Sequence, residues 1–248
     1  MLALPSLELA RAQRHKKPLL SCRTNSLQIA AAALQAATVE RAPILITLDA
    51  TLPTTLPHIA LLSGILELGR DAKVQVAVEV VVPTSREAAS WWIDHGVLAV
   101  TLHGTADAIK RTLKHVQLEA LAHGAEVGIE PTDITTLRAM EALVGKHDAN
   151  YIRLAPREKL SEMHEYCKAV EVPVIAGGMH ISAKKSRDLI TAGCVGLTLS
   201  TELNEAFTAG IRTALRSRSE CDPSRYLGYG ATAVRELVKA HYAYFHTS

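Results

Sequence analysis

Residues Lys73–Thr105, KVQVAVEVVVPTSREAASWWIDHGVLAVTLHGT, place two short valine-rich runs on either side of a helical stretch. Val74–Val82 and Ala99–His103 are almost continuously apolar, as expected of parallel strands covered on both faces. Ser85–Asp94 between them has the spacing of a helix. The same alternation extends in both directions. Further strands are expected at Leu19–Arg23, Ile44–Asp49, Ala125–Glu130, Tyr151–Leu154, Val174–Ala176 and Gly196–Leu199. Helices are expected at Ser26–Glu40, Asp107–His123, Ile134–Val144, Lys159–Val170 and Ser182–Ala192, and Asn204–Arg218 and Tyr229–Tyr244 would close the structure. About eight βα units in a chain of 248 residues favour an α/β fold of the (β/α)₈ TIM-barrel type over an open sheet. One domain spanning residues 1–248 is expected, without linker, low-complexity segment or internal repeat.

Composition narrows the function classes. The formal net charge is +2, with no basic stripe interleaved with aromatics, which argues against a nucleic-acid partner. The four cysteines, Cys22, Cys167, Cys194 and Cys221, are far apart and lack C-x-x-C spacing, so they read as reduced thiols, not a zinc ribbon or a disulfide framework. An amphipathic stretch at Leu7–Ala12 precedes basic residues up to Lys17, without the apolar core of a signal peptide. No apolar run reaches spanning length, so no membrane partner and a cytoplasmic location are expected.

In a barrel of this type chemistry sits at the C-terminal ends of the strands. That rule selects Ser21, Arg23, Asn25, Asp49, Glu79, His103, Glu130, Arg153, Gly177, Gly178, His180, Ser200 and Thr201. Most are polar types that a buried strand avoids unless they have a partner or a task.

Several stretches resemble the class II (metal-dependent) ketose-bisphosphate aldolases. Val172-Pro-Val-Ile-Ala-Gly-Gly-Met179 is similar to their V-P-L-V-L-H-G-G-S, and Gly193-Cys-Val-Gly-Leu-Thr-Leu-Ser-Thr-Glu-Leu203 to G-I-x-K-I-N-I-x-T-E-L. Asp222-Pro-Ser-Arg-Tyr-Leu227 resembles D-P-R-K-Y-L, and Gln35–Leu45 resembles E-A-A-E-E-E-x-S-P-V-I. Asp94–Thr105 follows the helix and G-F-x-S-V-M-I-D-G-S of the family. The matches run in one collinear order from about residue 19 to the end. The resemblance implies a phosphate site made by Gly177, Gly178 and Thr201, with Ser200 adding a hydroxyl. Glycines let backbone N–H groups approach an anion, and a helix N-terminus adds partial positive charge. The alternative for Gly177-Gly178 is a tight turn after a buried strand.

The same alignment removes the family's metal. Its strand V-A-L-H-L-D-H-G puts its first His on Glu79, its catalytic Asp on Val81 and its metal-binding His on Val82. Leu154-Ala-Pro-Arg157 carries no His, and Ala176 replaces the His of H-G-G-S. Valine and alanine cannot ligate zinc, so no metal site and no cofactor are expected. Asp94-His95-Gly96 and His103-Gly104-Thr105 look like fragments of the metal motifs but are out of frame. The family's long mobile loop after its fifth strand is missing too, since Ile129-Glu-Pro-Thr-Asp-Ile-Thr135 runs almost directly into a helix.

Glu79, His103 and Glu130 end three consecutive expected strands and should face one another. Three readings are open: an acid–base set, a relocated divalent ion, or an ion-paired plug in which Glu79 or Glu130 neutralises Arg23 or Arg153. Lys184 and Lys185 lie in a helix, which leaves a Schiff-base route without a nucleophile. Cys22 is either a nucleophile near His103 or Arg23, or packing. Trp91-Trp92 would suit a subunit interface or a core aromatic pair, and a homo-oligomer, dimer or tetramer, is expected. The expected function is metal-independent lyase, isomerase or dehydratase chemistry on a small phosphorylated metabolite. Glu79, His103 and Glu130 would trade protons, and Arg23 or Arg153 would hold the anion. The alternative is a non-catalytic homologue that binds a sugar phosphate or a protein partner.

Overall fold

The computed structural model describes residues 2–54, 56–144, 149–156, 159–177, 181–216 and 221–246. The elements run β1 (Leu2–Ala3), α1 (Pro5–His15), β2 (Leu19–Arg23), α2 (Leu27–Glu40), β3 (Ile44–Asp49), α3 (His58–Asp71), β4 (Val76–Pro83), α4 (Arg86–Asp94), β5 (Ala99–Gly104) and α5 (Ala106–His123). They continue with β6 (Glu126–Pro131), α6 (Leu137–Val144), β7 (Tyr151–Leu154), α7 (Leu160–Ala169), β8 (Val174–Ala176), α8 (Ala183–Thr191), β9 (Gly196–Leu199), α9 (Thr201–Ala214) and α10 (Pro223–His246). Strands β2 to β9 pair in parallel with their sequence neighbours, and β2 pairs with β9 to close the ring. The chain is a (β/α)₈ TIM barrel.

Local chemistry sets the helix starts. Ser26, Ser85, Thr105 and Ser182 precede α2, α4, α5 and α8, and each side-chain oxygen accepts a backbone N–H of the first turn. Gly124 ends α5 at φ 68°, a left-handed conformation that glycine adopts without a Cβ clash.

Period-two alternation along the strands separates two cores. Ile44, Ile46 and Leu48 of β3, with Val78, Val80 and Val82 of β4, face the surrounding helices. Leu19, Leu45, Ala77, Tyr151 and Ile175 face inward, where Leu9 and Ala12 of α1 pack against them and stop the N-terminal end of the barrel. The amphipathic stretch expected at Leu7–Ala12 is thus part of an 11-residue helix that plugs the barrel. Ser6 secures it, its N–H donating to Glu126 Oε2 at 2.8 Å and its hydroxyl to Oε1. Among the described residues, no helix is long and apolar enough to cross a membrane.

Candidate functional site

Above the apolar plug lies a polar layer. Glu79 sits inside β4 with no exposed surface, and Arg153 of β7 reaches across to it with 2% exposed. Glu79 Oε1 accepts from Thr47 at 2.6 Å and from Arg153 Nη2, while Oε2 accepts from Thr101 at 2.8 Å and Tyr151 at 2.5 Å. Arg153 also donates to Ser21 at 3.1 Å, to Thr47 at 3.0 Å and to Thr198. Burial, reinforced by the Glu79 charge, lifts the Tyr151 phenol well above its ordinary value, which keeps it a donor. A buried ion pair persists only when its remaining lone pairs and protons find partners, and the surrounding hydroxyls supply most of them.

One layer higher is the rim. Arg23, at the end of β2, donates from Nε to Asp49 Oδ2 at 2.8 Å and from Nη1 to both oxygens of Glu130 at 2.7 and 2.9 Å. Asp49 is held in turn by the N–H of Thr51 at 2.9 Å and its hydroxyl at 2.5 Å. His103 Nδ1 lies 3.4 Å from Glu130 Oε2, and its side chain is 34% exposed against 16% for Glu130. Burial pushes Glu130 upward, but His103, Arg23 and Arg153 outweigh it and hold the carboxylate at about 2. His103 is raised above its ordinary value by Glu130, against burial and Arg23. The result is an ionised carboxylate beside a partly open imidazole, close enough for charge attraction although His103 Nδ1 makes no hydrogen bond.

The structure brings His103 and Glu130 together as register partners on β5 and β6. It does not bring Glu79 to them. Glu79 does not end its strand, because β4 continues to Pro83. Pro83, not Glu79, is level with His103. The side chain therefore points into the layer below, where Thr101 is its partner on β5.

Arg23 and Asp49, with Asn25, Ser200 and Asn204, line a cavity of about 250 Å³ beside the rim. Ser200 precedes α9, and Thr201, exposed, is its first residue. The Glu202 carboxylate accepts the Ser200 N–H at 3.1 Å and the Ile181 N–H. Gly177 has a packing reason for being glycine, since a Cβ there would lie 2.7 Å from Thr198 Cβ. Gly178 and His180 lie outside the described residues. Cys22 faces the aliphatic core, and burial, then Glu202, push its thiol up to about 12. Asp94-His95 closes α4 at the surface, and residues 132–136 alone separate β6 from α6.

Residues 142–248 match the class-II fructose-bisphosphate aldolase family. The whole fold superposes on solved aldolases. Residues 142–248 are class II aldolase-like in sequence, and the whole chain has the fold of the solved aldolases. It matches the YdjI aldolase of Escherichia coli K12 with TM-score 0.87 at 15% identity, covering 99% of this chain and 97% of that one. A putative fructose-1,6-bisphosphate aldolase from Coccidioides immitis gives TM-score 0.79 at 16% identity over 95% and 92% of the chains. Fructose-bisphosphate aldolase from Campylobacter jejuni gives 0.78 at 14% over 99% and 95%. No curated protein sequence matches it.

The metal of class II aldolases does not fit the described residues of this aldolase-like barrel. Val82 and Ala176 belong to the aliphatic core outside the ring. Val81 is buried on the inner face, and Glu79 is committed to Arg153 and three hydroxyls. Among the described residues no group of three or more His, Cys, Asp and Glu side chains could hold an ion.

Two signals in the sequence would have found the polar layer. Ser21, Thr47, Thr101 and Thr198 each stand two residues before a rim position, Arg23, Asp49, His103 and Ser200, so they share its face. Arg153, alone in Tyr-Ile-Arg-Leu, required a buried acid, but its partner is 74 residues away.

Proposed function

We propose that this barrel performs metal-independent acid–base chemistry of the lyase, isomerase or dehydratase type on a small phosphorylated metabolite, in the cytoplasm and as a homo-oligomer. The observation that carries the reading is the His103–Glu130 pair at the open rim. His103 moves the proton, and Glu130 orients the ring and stabilises its charged form. Glu79 supports the site from below through Arg153. Arg23 is the cation at the rim that opposes negative charge on the substrate. The phosphate corner is Gly177, Gly178, Ser200 and Thr201, with the N-terminus of α9 adding partial positive charge. Exposed Trp91, edge-on to Trp92 at 4.8 Å, suits a subunit contact.

The test is deuterium incorporation, followed by NMR in D₂O with chelator, at carbons beside the carbonyl of phosphorylated ketoses. His103→Gln is expected to slow exchange about 100-fold or more in a folded protein. Exchange unchanged in that variant sinks the assignment.

A second reading, a non-catalytic homologue that binds a sugar phosphate or a protein partner, is favoured by the internal neutralisation of both guanidiniums. It expects a thermal shift with phosphorylated compounds, worth about 3 kcal/mol at a hundred times the dissociation constant, and no turnover of any that bind.

A further inference from the structure

An open cavity of about 1030 Å³ lies at the opposite end of the barrel from the rim, between α1 and the segments leading into β3 and β4. Arg11 and His15 line it from one face of α1, being four residues apart, and Lys17, Arg41 and Lys73 reach it from the connections before β2, β3 and β4. Those three strands are neighbours in the ring, so the topology gathers three cations of distant sequence at one spot.

Charge balance there is one-sided. Glu8 is the only carboxylate in the lining, and Arg11 already holds it at 2.6 Å. Among the described residues Lys17, Arg41 and Lys73 have no ion-pair partner. Cations after helix C-termini offset the helix dipole, and Arg41, as C-cap of α2, does so. That accounts for each cation separately and not for their convergence on one cavity, where they repel one another. Arg41 is also held at φ 51°, a left-handed conformation that glycine adopts at less cost. Pro43 and Val74 give the cavity an apolar wall, and Thr38 and Gln75 supply hydrogen-bonding groups.

We propose that this cavity at the N-terminal end of the barrel binds a small polyphosphate, its phosphates held by Lys17, Arg41 and Lys73. The size and the apolar wall suit a nucleoside diphosphate, and inorganic pyrophosphate shares the recognised group. Isothermal titration of the full chain with ADP, and separately with pyrophosphate, tests this. Saturable one-to-one binding is expected for at least one of them: ADP alone identifies an organic ligand, pyrophosphate alone or equally well an inorganic one. Arg41→Glu/Lys73→Glu, both at exposed positions, is expected to weaken it by about tenfold or more. His103→Gln and the distant Arg111→Glu/Lys114→Glu pair are expected to leave it unchanged. No binding of either probe overturns the proposal, as does equal weakening by the Arg111/Lys114 pair, which would mark a diffuse charge effect.

Discussion

Two acid–arginine clusters of the same chemistry stand one layer apart in this barrel and differ in almost everything else. Glu79 and Arg153 have essentially no exposed surface and are ringed by hydroxyls from β2, β3, β5, β7 and β9. Arg23, Asp49, Glu130 and His103 are partly open, and an imidazole completes the group. Depth, not residue type, separates a pair that maintains the barrel from one that can meet a substrate.

The largest effect expected is from Glu79→Ala, which strands the Arg153 charge in the interior and should cost about 3–5 kcal/mol in urea unfolding. Replacing both partners, as Glu79→Leu/Arg153→Met, should recover much of it; a single variant as stable as the parent would show that the inner pair maintains nothing. Gly177→Ala should cost about 1–3 kcal/mol by forcing Thr198 away from Arg153, read in the same assay.

The rim should respond to pH instead. Because folding depresses Glu130 from 4.5 to about 2, its contribution is present above pH 4.5 and is lost as pH falls toward 2. Melting temperatures between pH 6 and 2.5 should fall less steeply for Glu130→Gln than for the parent. His103 has the opposite sign: its folded value is raised above 6.5, so its contribution is full below 6.5 and disappears as pH rises through the folded value. The smallest stability effect expected is thus from His103→Gln, under about 1 kcal/mol and detectable only on the acid side of that transition. A larger cost, or one independent of pH, would make the rim as structural as the layer beneath it.

The barrel was legible because its strands are apolar runs, and an apolar run declares itself locally. Leu19–Arg23, Ile44–Asp49, Tyr151–Leu154 and Gly196–Leu199 have the bounds read from the sequence. The candidate site was legible only in part. His103 and Glu130 were placed together because each falls within a residue of its strand's end. Glu79 was misplaced because Val80–Val82 extend β4 beyond it with no change of composition, so depth along the strand had no local mark. The inner layer escaped for another reason: its hydroxyls are ordinary strand residues until the closed ring brings five strands around one ion pair.

Closure of that ring carries a consequence for how the chain is made. The seam joins Leu19–Cys22 to Gly196–Leu199, a pairing that no partial chain can form until residue 199 has been synthesised. Contacts of such long sequence separation form slowly, because loop-closure entropy is lost before they repay it. Until then the nascent sheet has two unpaired edges, and unpaired edges are templates for aggregation. Chaperone demand should therefore peak in the interval between synthesis of β8 and docking of β9 against β2.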